Sequence, residues 1–226
     1  MRKIITITFL AILGYYMIIL FQQIPFGDNR MNVGRHYLEN TIEETGSVNT
    51  VTSIVVSYRG FDTLGEVTVL FLAATGLGAI LFDKRGKKRR RQNASSLVRT
   101  TSKLFYPLIV LLGAYVFVHG HLTPGGGFQG GAIIATGVLM MYMSYRRFET
   151  NHKALTIIES MAGLIFVTIG MAGLIIGQSF LENFLPLGTP NTLFSAGIIP
   201  IVYSAIGFKV GAELTGVLDT LLKTIR

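Results

Sequence analysis

The sequence predicts an all-α integral membrane protein with about six transmembrane helices and both termini inside. Three observations predict it. Half of the residues are hydrophobic and only 14% are charged, against about 25% charged in a typical soluble domain. Six stretches are apolar and long enough, or nearly so, to cross a hydrocarbon core of about 30 Å. The basic residues fall on one side of the resulting layout.

The stretches run roughly over residues 4–22, 63–82, 104–120, 128–145, 156–177 and 193–218. The first has Arg2 and Lys3 ahead of an apolar core, as a signal peptide does, but no small-residue cleavage site follows. It reads as a retained span. Between the first two lies the one sizeable outer connection, 23–62. Its middle, VGRHYLENTIEE, reads as a short amphipathic helix. TVTSIVVSY, 50–58, alternates and is rich in Val, Ile and Thr, so it is either a short strand or the lead-in to the second span. A basic and then polar stretch at about 86–97 separates a two-span part, 1–95, from a four-span part, 96–226. No long internal repeat is evident, so an inverted-repeat transporter gains no support.

With the N-terminus in the cytoplasm, the inner segments hold sixteen of the twenty Lys and Arg residues. The outer ones hold Arg30, Arg35 and Arg59, and Lys209 is left within the last span. This bias fixes an N-in, C-in orientation. The run DKRGKKRRR, 83–91, fits a topology determinant that touches anionic lipid head groups. Nucleic-acid binding is disfavoured, because no aromatic residues interleave those charges. The chain has no cysteine, hence no disulfide, thiolate zinc site or Cys-ligated cluster of its own. No cofactor is expected in this chain; any redox chemistry belongs to a partner.

HGHLTPGGGFQGG, 119–131, joins the third and fourth spans. It lacks the Lys and hydroxyl of a phosphate loop. His119 and His121 are two apart, on different sides of a helix, with no carboxylate near in sequence, so no metal site is expected. Pro124 cannot continue a helix, and Gly125, Gly126 and Gly127 permit positive φ and close backbone approach. Gly127 with Gly131, and Gly131 with Ala135, set small residues four apart for tight helix packing. The stretch is either a sharp bend covered by protein or an ordinary exposed turn; non-helical backbone at membrane depth survives only in the first case or beside a wet cavity.

Two further stretches carry ionisable groups into apolar spans, where such groups are costly and mark ion or proton routes. In YRGFDTLGE, 58–66, Asp62 and Glu66 share a helix face and Arg59 is close enough to pair with Asp62. Asp62 also suits a helix N-cap; Glu66 lies deeper and points to an ion path. In GFKVGAEL, 207–214, Lys209 and Glu213 are four apart. They form either an ion relay or a structural pair whose Lys snorkels to the inner surface. Pro200 upstream is a candidate kink. Glu159 is placed at head-group level and His152 in solvent. No Ser/His/Asp or paired-carboxylate catalytic set stands out, so a transporter subunit is expected rather than an enzyme.

HLTPGGGFQGG together with LFSAGIIPIVYSAIGFKVGAEL, over about residues 98–226, resembles the MnhB-like component of the multisubunit cation/proton antiporters, the Mrp family. VSYRGFDTLGEVTVLFLAATG resembles a segment that closes the largest component of those complexes, and a small separate component of the related membrane-bound hydrogenases. The resemblance implies membership of a multi-pass prokaryotic plasma-membrane complex related to respiratory complex I. Sister subunits, lipid, sodium ions and protons are the partners it implies. Such assemblies exchange sodium for protons or couple hydrogen, formate or sulfur redox chemistry to ion pumping. Asp62 and Glu66 fall on an acidic motif whose glutamate lines an ion path in that family. His121, Pro124, Gly125, Gly126, Gly127, Phe128, Gln129, Gly130 and Gly131 fall on its signature, preceded by Thr123, and Lys209 and Glu213 fall on its terminal motif. A scaffold that only holds other subunits is the competing reading.

Overall fold

The computed structural model describes residues 2–23, 32–82, 94–146 and 148–225. The basic run 83–91 lies outside them. All regular structure among the described residues is helical. In order come α1 (Arg2–Gln23), α2 (Asn32–Thr45), a single turn α3 (Thr50–Ser53), a π-helical turn (Ile54–Tyr58) and α4 (Gly60–Phe82). The others are α5 (Ser96–Val118), α6 (Gly127–Ser144), α7 (His152–Ile176) and α8 (Ile199–Ile225). The protein is an all-α, polytopic membrane protein.

Four helices are long and apolar enough to cross a membrane: Gly60–Leu81, Ser96–Val118, His152–Ile176 and Ile199–Leu222. The other two expected spans are shorter. In α1 the apolar run is Thr6–Gln22. The 18 residues of α6 start at the Gly-rich bend and pack between α5 and α8. The described chain divides into two compact units, 1–36 and 37–226. The first holds α1 and the start of α2, and the second holds everything from Tyr37 onward.

Segment 50–58 is helical, not a strand. Its buried residues Thr52, Ser53 and Val56 follow a helical spacing, whereas a strand buries every second side chain. Asn49 starts the turn, its side-chain oxygen accepting from Thr52 N at 3.4 Å. Asn151 caps α7 in the same way, accepting from Ala154 N at 3.3 Å. That cap starts α7 at His152, before its apolar run.

Helix α8 begins later than its apolar run suggests. Residues 193–198 stay in the loop, with Ala196 at φ 65° and Gly197 at φ 55°. Asn183 closes that loop, its Oδ1 accepting from Ile198 N at 3.1 Å and its Nδ2 donating to Ala196 O at 3.2 Å. Pro200 therefore falls in the first turn of α8, where its missing N–H costs nothing, and does not kink the helix interior. α8 packs on α4, α5, α6 and α7. It is 61% buried across its apolar window, against 6% for α4, 17% for α5 and 22% for α7. It forms the axis of the unit, and its Ile199, Val202, Tyr203, Ile206 and Val210 run through the core.

Glycine sets how close α6 comes to its neighbours. A Cβ on Gly131 would lie 2.8 Å from Gly211 N and 2.9 Å from Gly207 O of α8. A Cβ on Gly130 would lie 2.5 Å from Gly113 O of α5. Backbone meets backbone on both sides, the close approach that small residues allow between membrane helices.

Candidate functional site

The bend between α5 and α6 is buried from within. Gly120, His121, Gly126 and Gly127 are buried, while Pro124 and Gln129 face outward. Breaking the helix frees carbonyl groups, which must find donors. Segment 47–52 supplies them. Gly120 O accepts from Asn49 Nδ2 at 2.8 Å and from Thr52 Oγ1 at 2.5 Å. Thr123 O accepts from the same amide at 2.9 Å. His121 O accepts from Val48 N and Asn49 N, both at 3.1 Å, and from Ser47 Oγ at 3.0 Å. The exposed-turn reading is thereby excluded. Gly125, at φ 149°, takes a conformation that side chains disfavour. The Tyr203 ring lies against the inner surface of the bend: a Cβ on either Gly120 or Gly126 would come within 3.1 Å of it.

The two histidines diverge. His119 stacks on Tyr115 with centroids 4.2 Å apart and bonds Tyr115 O through Nδ1 at 3.1 Å. His121 is fully buried, with Nε2 3.4 Å from Thr192 O. Burial holds its imidazole below the ordinary histidine range. Nearby, Tyr58 donates to Glu44 Oε2 at 2.5 Å. Burial first, and that bond second, push the phenol up to about 12.

Asp62 does not cap α4. It is the third residue of the helix, paired with Arg59 at 2.5 Å and half exposed. In the first turn its charge favours the helix dipole. Glu66, one turn on, is exposed on the outer face of α4 and acts electrostatically on the Tyr203 phenol.

Lys209 does not snorkel. Its Nζ sits 3.6 Å from Glu213 Oε2 and 3.6 Å from Glu159 Oε1, and 5.2 Å from the centroid of the Phe71 ring. The side chains of Lys209 and Glu213 are 12% and 1% exposed, and that of Glu159 is 23% exposed. One ammonium thus stands between two carboxylates from α7 and α8. A cavity of about 270 Å³ adjoins them, with Thr68, Phe71, Ser160 and Gly163 in its lining. Glu159, assigned from sequence to the head-group level, is turned inward onto this ammonium.

A second acidic site was not anticipated. Asp219 is fully buried, accepts from Tyr142 OH at 2.5 Å and lies 2.5 Å from His152 Nε2. His152, expected in solvent, is half exposed and reaches this carboxylate. The sequence-derived span ended at residue 218, one short of Asp219. A heptad count along α8 places Asp219 near the Ala212 face rather than the lipid face, which was the available signal.

The geometry brings together Lys209, Glu213 and Glu159 in one site, and the Gly-rich signature with Tyr203 in another. Asp62 and Glu66 stay apart from the first. Comparison with known proteins gives concordant matches. Residues 97–216 match a family described as a domain related to the MnhB subunit of Na+/H+ antiporter. Residues 1–101 match MbhE, the family of the E-type component of MBH. An uncharacterized protein of Methanocaldococcus jannaschii is 31% identical over 74% of this chain and 74% of its own. A chain in the structure of an archaeal membrane-bound sulfane sulfur reductase is 44% identical, with TM-score 0.79 over 98% of both chains. A chain of the Mrp complex from Dietzia sp. DQ12-45-1b is 28% identical, with TM-score 0.72 over 97% of this chain and 26% of that one. The chain belongs to the family of domains related to the MnhB subunit of Na+/H+ antiporters.

Proposed function

We propose that this chain is a membrane subunit of a multisubunit sodium/proton antiporter assembly of the prokaryotic plasma membrane, contributing to an ion path and to assembly. The observation that carries this reading is the Glu159–Lys209–Glu213 group. Three charged side chains buried between membrane helices are expensive, and a purely structural contact is made more cheaply by apolar residues. The adjoining cavity gives them access to water and ions. Glu66, exposed on a membrane helix, with Asp62 at its mouth, forms the part of the path that faces a sister subunit. Lipid and sister subunits cover the remaining apolar surface. The chain itself holds no cofactor in this reading and acts as a transporter subunit.

The test is sodium-dependent proton flux in membrane vesicles. Replacing Glu66 or Glu213 by Gln in an assembled complex abolishes flux if the reading holds. Unchanged flux in both variants, with intact assembly, leaves a scaffold role alone.

A second reading places the same subunit in a redox-driven pump. It is favoured by the match over nearly the full length of a sulfane sulfur reductase chain, where the Dietzia chain is matched over only 26%. Purification of the chain with its native partners separates the two. Redox subunits in the preparation mean a pump, and antiporter subunits alone mean secondary exchange.

A further inference from the structure

We infer that the Glu159–Lys209–Glu213 group is a proton site, not a sodium site, and that Lys209 works as a switch between its two carboxylates. This deepens the proposed function and rests on it. Lys209 Nζ is equally far, 3.6 Å, from each acid, whereas a committed ammonium–carboxylate bond closes to about 2.7–2.9 Å. The ammonium is shared, not bound to one partner.

The two acids differ in surroundings. Glu213 is 1% exposed and lies on the same helix as Lys209, while Glu159 is 23% exposed and lines the cavity. The stem of Lys209 has room to move between them. A Cβ built on Gly163 meets only Lys209 Cδ, at 3.8 Å. From α4 the neighbours are the Phe71 ring and the Thr68 hydroxyl, so the described α4 lining adds no titratable group.

The chemistry follows from charge. With both acids ionised the group carries one net negative charge. A proton arriving through the cavity binds Glu159 and makes the group neutral. Lys209 then closes on Glu213. Transfer of that proton to Glu213 frees the Glu159 carboxylate, and the ammonium swings back. Proton and ammonium move in opposite directions, and no other reactant is consumed. Sodium fits poorly here. The place between the two carboxylates already holds a cation, and beyond these acids the side-chain oxygens of the lining are the Thr68 and Ser160 hydroxyls. A hard cation calls for a fuller shell of oxygen ligands.

The test uses the whole complex in proteoliposomes, with sodium uptake driven by an imposed pH gradient. Glu213→Gln and Glu159→Gln each leave one ion pair intact, and Gly163→Leu fills the swing space without changing charge. All three are expected to slow exchange about tenfold or more and to shift its pH profile, while the sodium concentration for half-maximal rate stays within about twofold. Should a Gln variant fail to copurify with its partners, Gly163→Leu carries the test. A tenfold rise in the sodium requirement of Glu213→Gln would mean that the group holds sodium, overturning this inference alone. Normal rates and pH profiles in all three, with Glu66→Gln still slow, would make the group structural and again overturn it alone. Normal rates in Glu66→Gln as well would remove the ion-path reading itself.

Discussion

The side-chain amide of Asn49 donates to the carbonyl of Gly120 at 2.8 Å, joining residues 71 positions apart. The other hydrogen of the same amide reaches Thr123 O. One side chain therefore satisfies two carbonyls that the α5–α6 bend withdraws from helical bonding. Asn49 lies in the stretch matched by the MbhE family, and the bend in that matched by the MnhB-related family. The two parts of the chain are thus joined by polar contacts at the bend.

Asn49→Leu should destabilise this junction. Leaving a buried carbonyl without a donor costs about 1–3 kcal/mol. The expected result is a lower melting temperature of the detergent-purified complex. Asn49→Asp should be no better, because a carboxylate cannot donate to the two carbonyls. An unchanged melting curve in both variants would show that water replaces the amide.

Gly131→Ala adds one methyl where helix α6 touches α8. Its Cβ would lie 2.8 Å from Gly211 N and 2.9 Å from Gly207 O, and backbone atoms cannot turn aside as side chains do. Overpacking of this kind costs about 1–3 kcal/mol. Gly78→Ala, at a site with nothing within 4 Å, is the control. Expression and copurification of sister subunits should fall for the first variant and not for the second.

These two sites also show what the sequence made legible. Helices were readable because apolar runs of about twenty residues have few alternatives in lipid. The Pro-Gly stretch was readable as backbone that leaves the helix, because Pro124 and the glycines act locally. Its burial was not, since the donors that cover it come from Ser47, Asn49 and Thr52, far away in sequence. Lys209 and Glu213 were paired by their spacing on one helix. Glu159 was missed because its partner lies on another helix, and Asp219 because the last apolar run ends before α8 does. Local periodicity finds pairs within an element and is silent about those between elements.

Acidification should weaken the outer junction through His121. Burial lowers its folded-state pKa, so the unfolded chain binds more protons below the ordinary histidine value of about 6.5. Stability is therefore complete above about 6.5 and is lost as pH falls from there toward the depressed folded value. Melting temperature measured between about pH 7.5 and 5 should decline, and the decline should shrink in His121→Gln. A rise in stability on acidification would contradict the assigned direction.

The orientation is open to a direct labelling test, since the chain has no native cysteine to interfere. Ser95, before α5, falls on the inner side of the N-in, C-in layout, and Gln178, after α7, on the outer side. Gln178→Cys should react with a membrane-impermeant maleimide in intact cells, and Ser95→Cys only after permeabilisation. The reverse pattern would invert the topology and the assignment of basic residues behind it.

Lys209→Met tests the charge balance of the buried group. The single change leaves Glu159 and Glu213 facing each other without their cation. Removing one partner of a buried pair costs about 3–5 kcal/mol, enough to cancel most of the stability of a typical domain. The complex should fail to assemble. The triple variant Glu159→Gln, Lys209→Met and Glu213→Gln removes every charge at once, so no buried ion is left uncompensated. Assembly should return in this variant, as judged by copurification and melting temperature, while proton flux should not. That divergence separates a group kept for transport from one kept for packing: if the triple variant regains flux together with assembly, the three charges serve the fold and the ion path runs elsewhere.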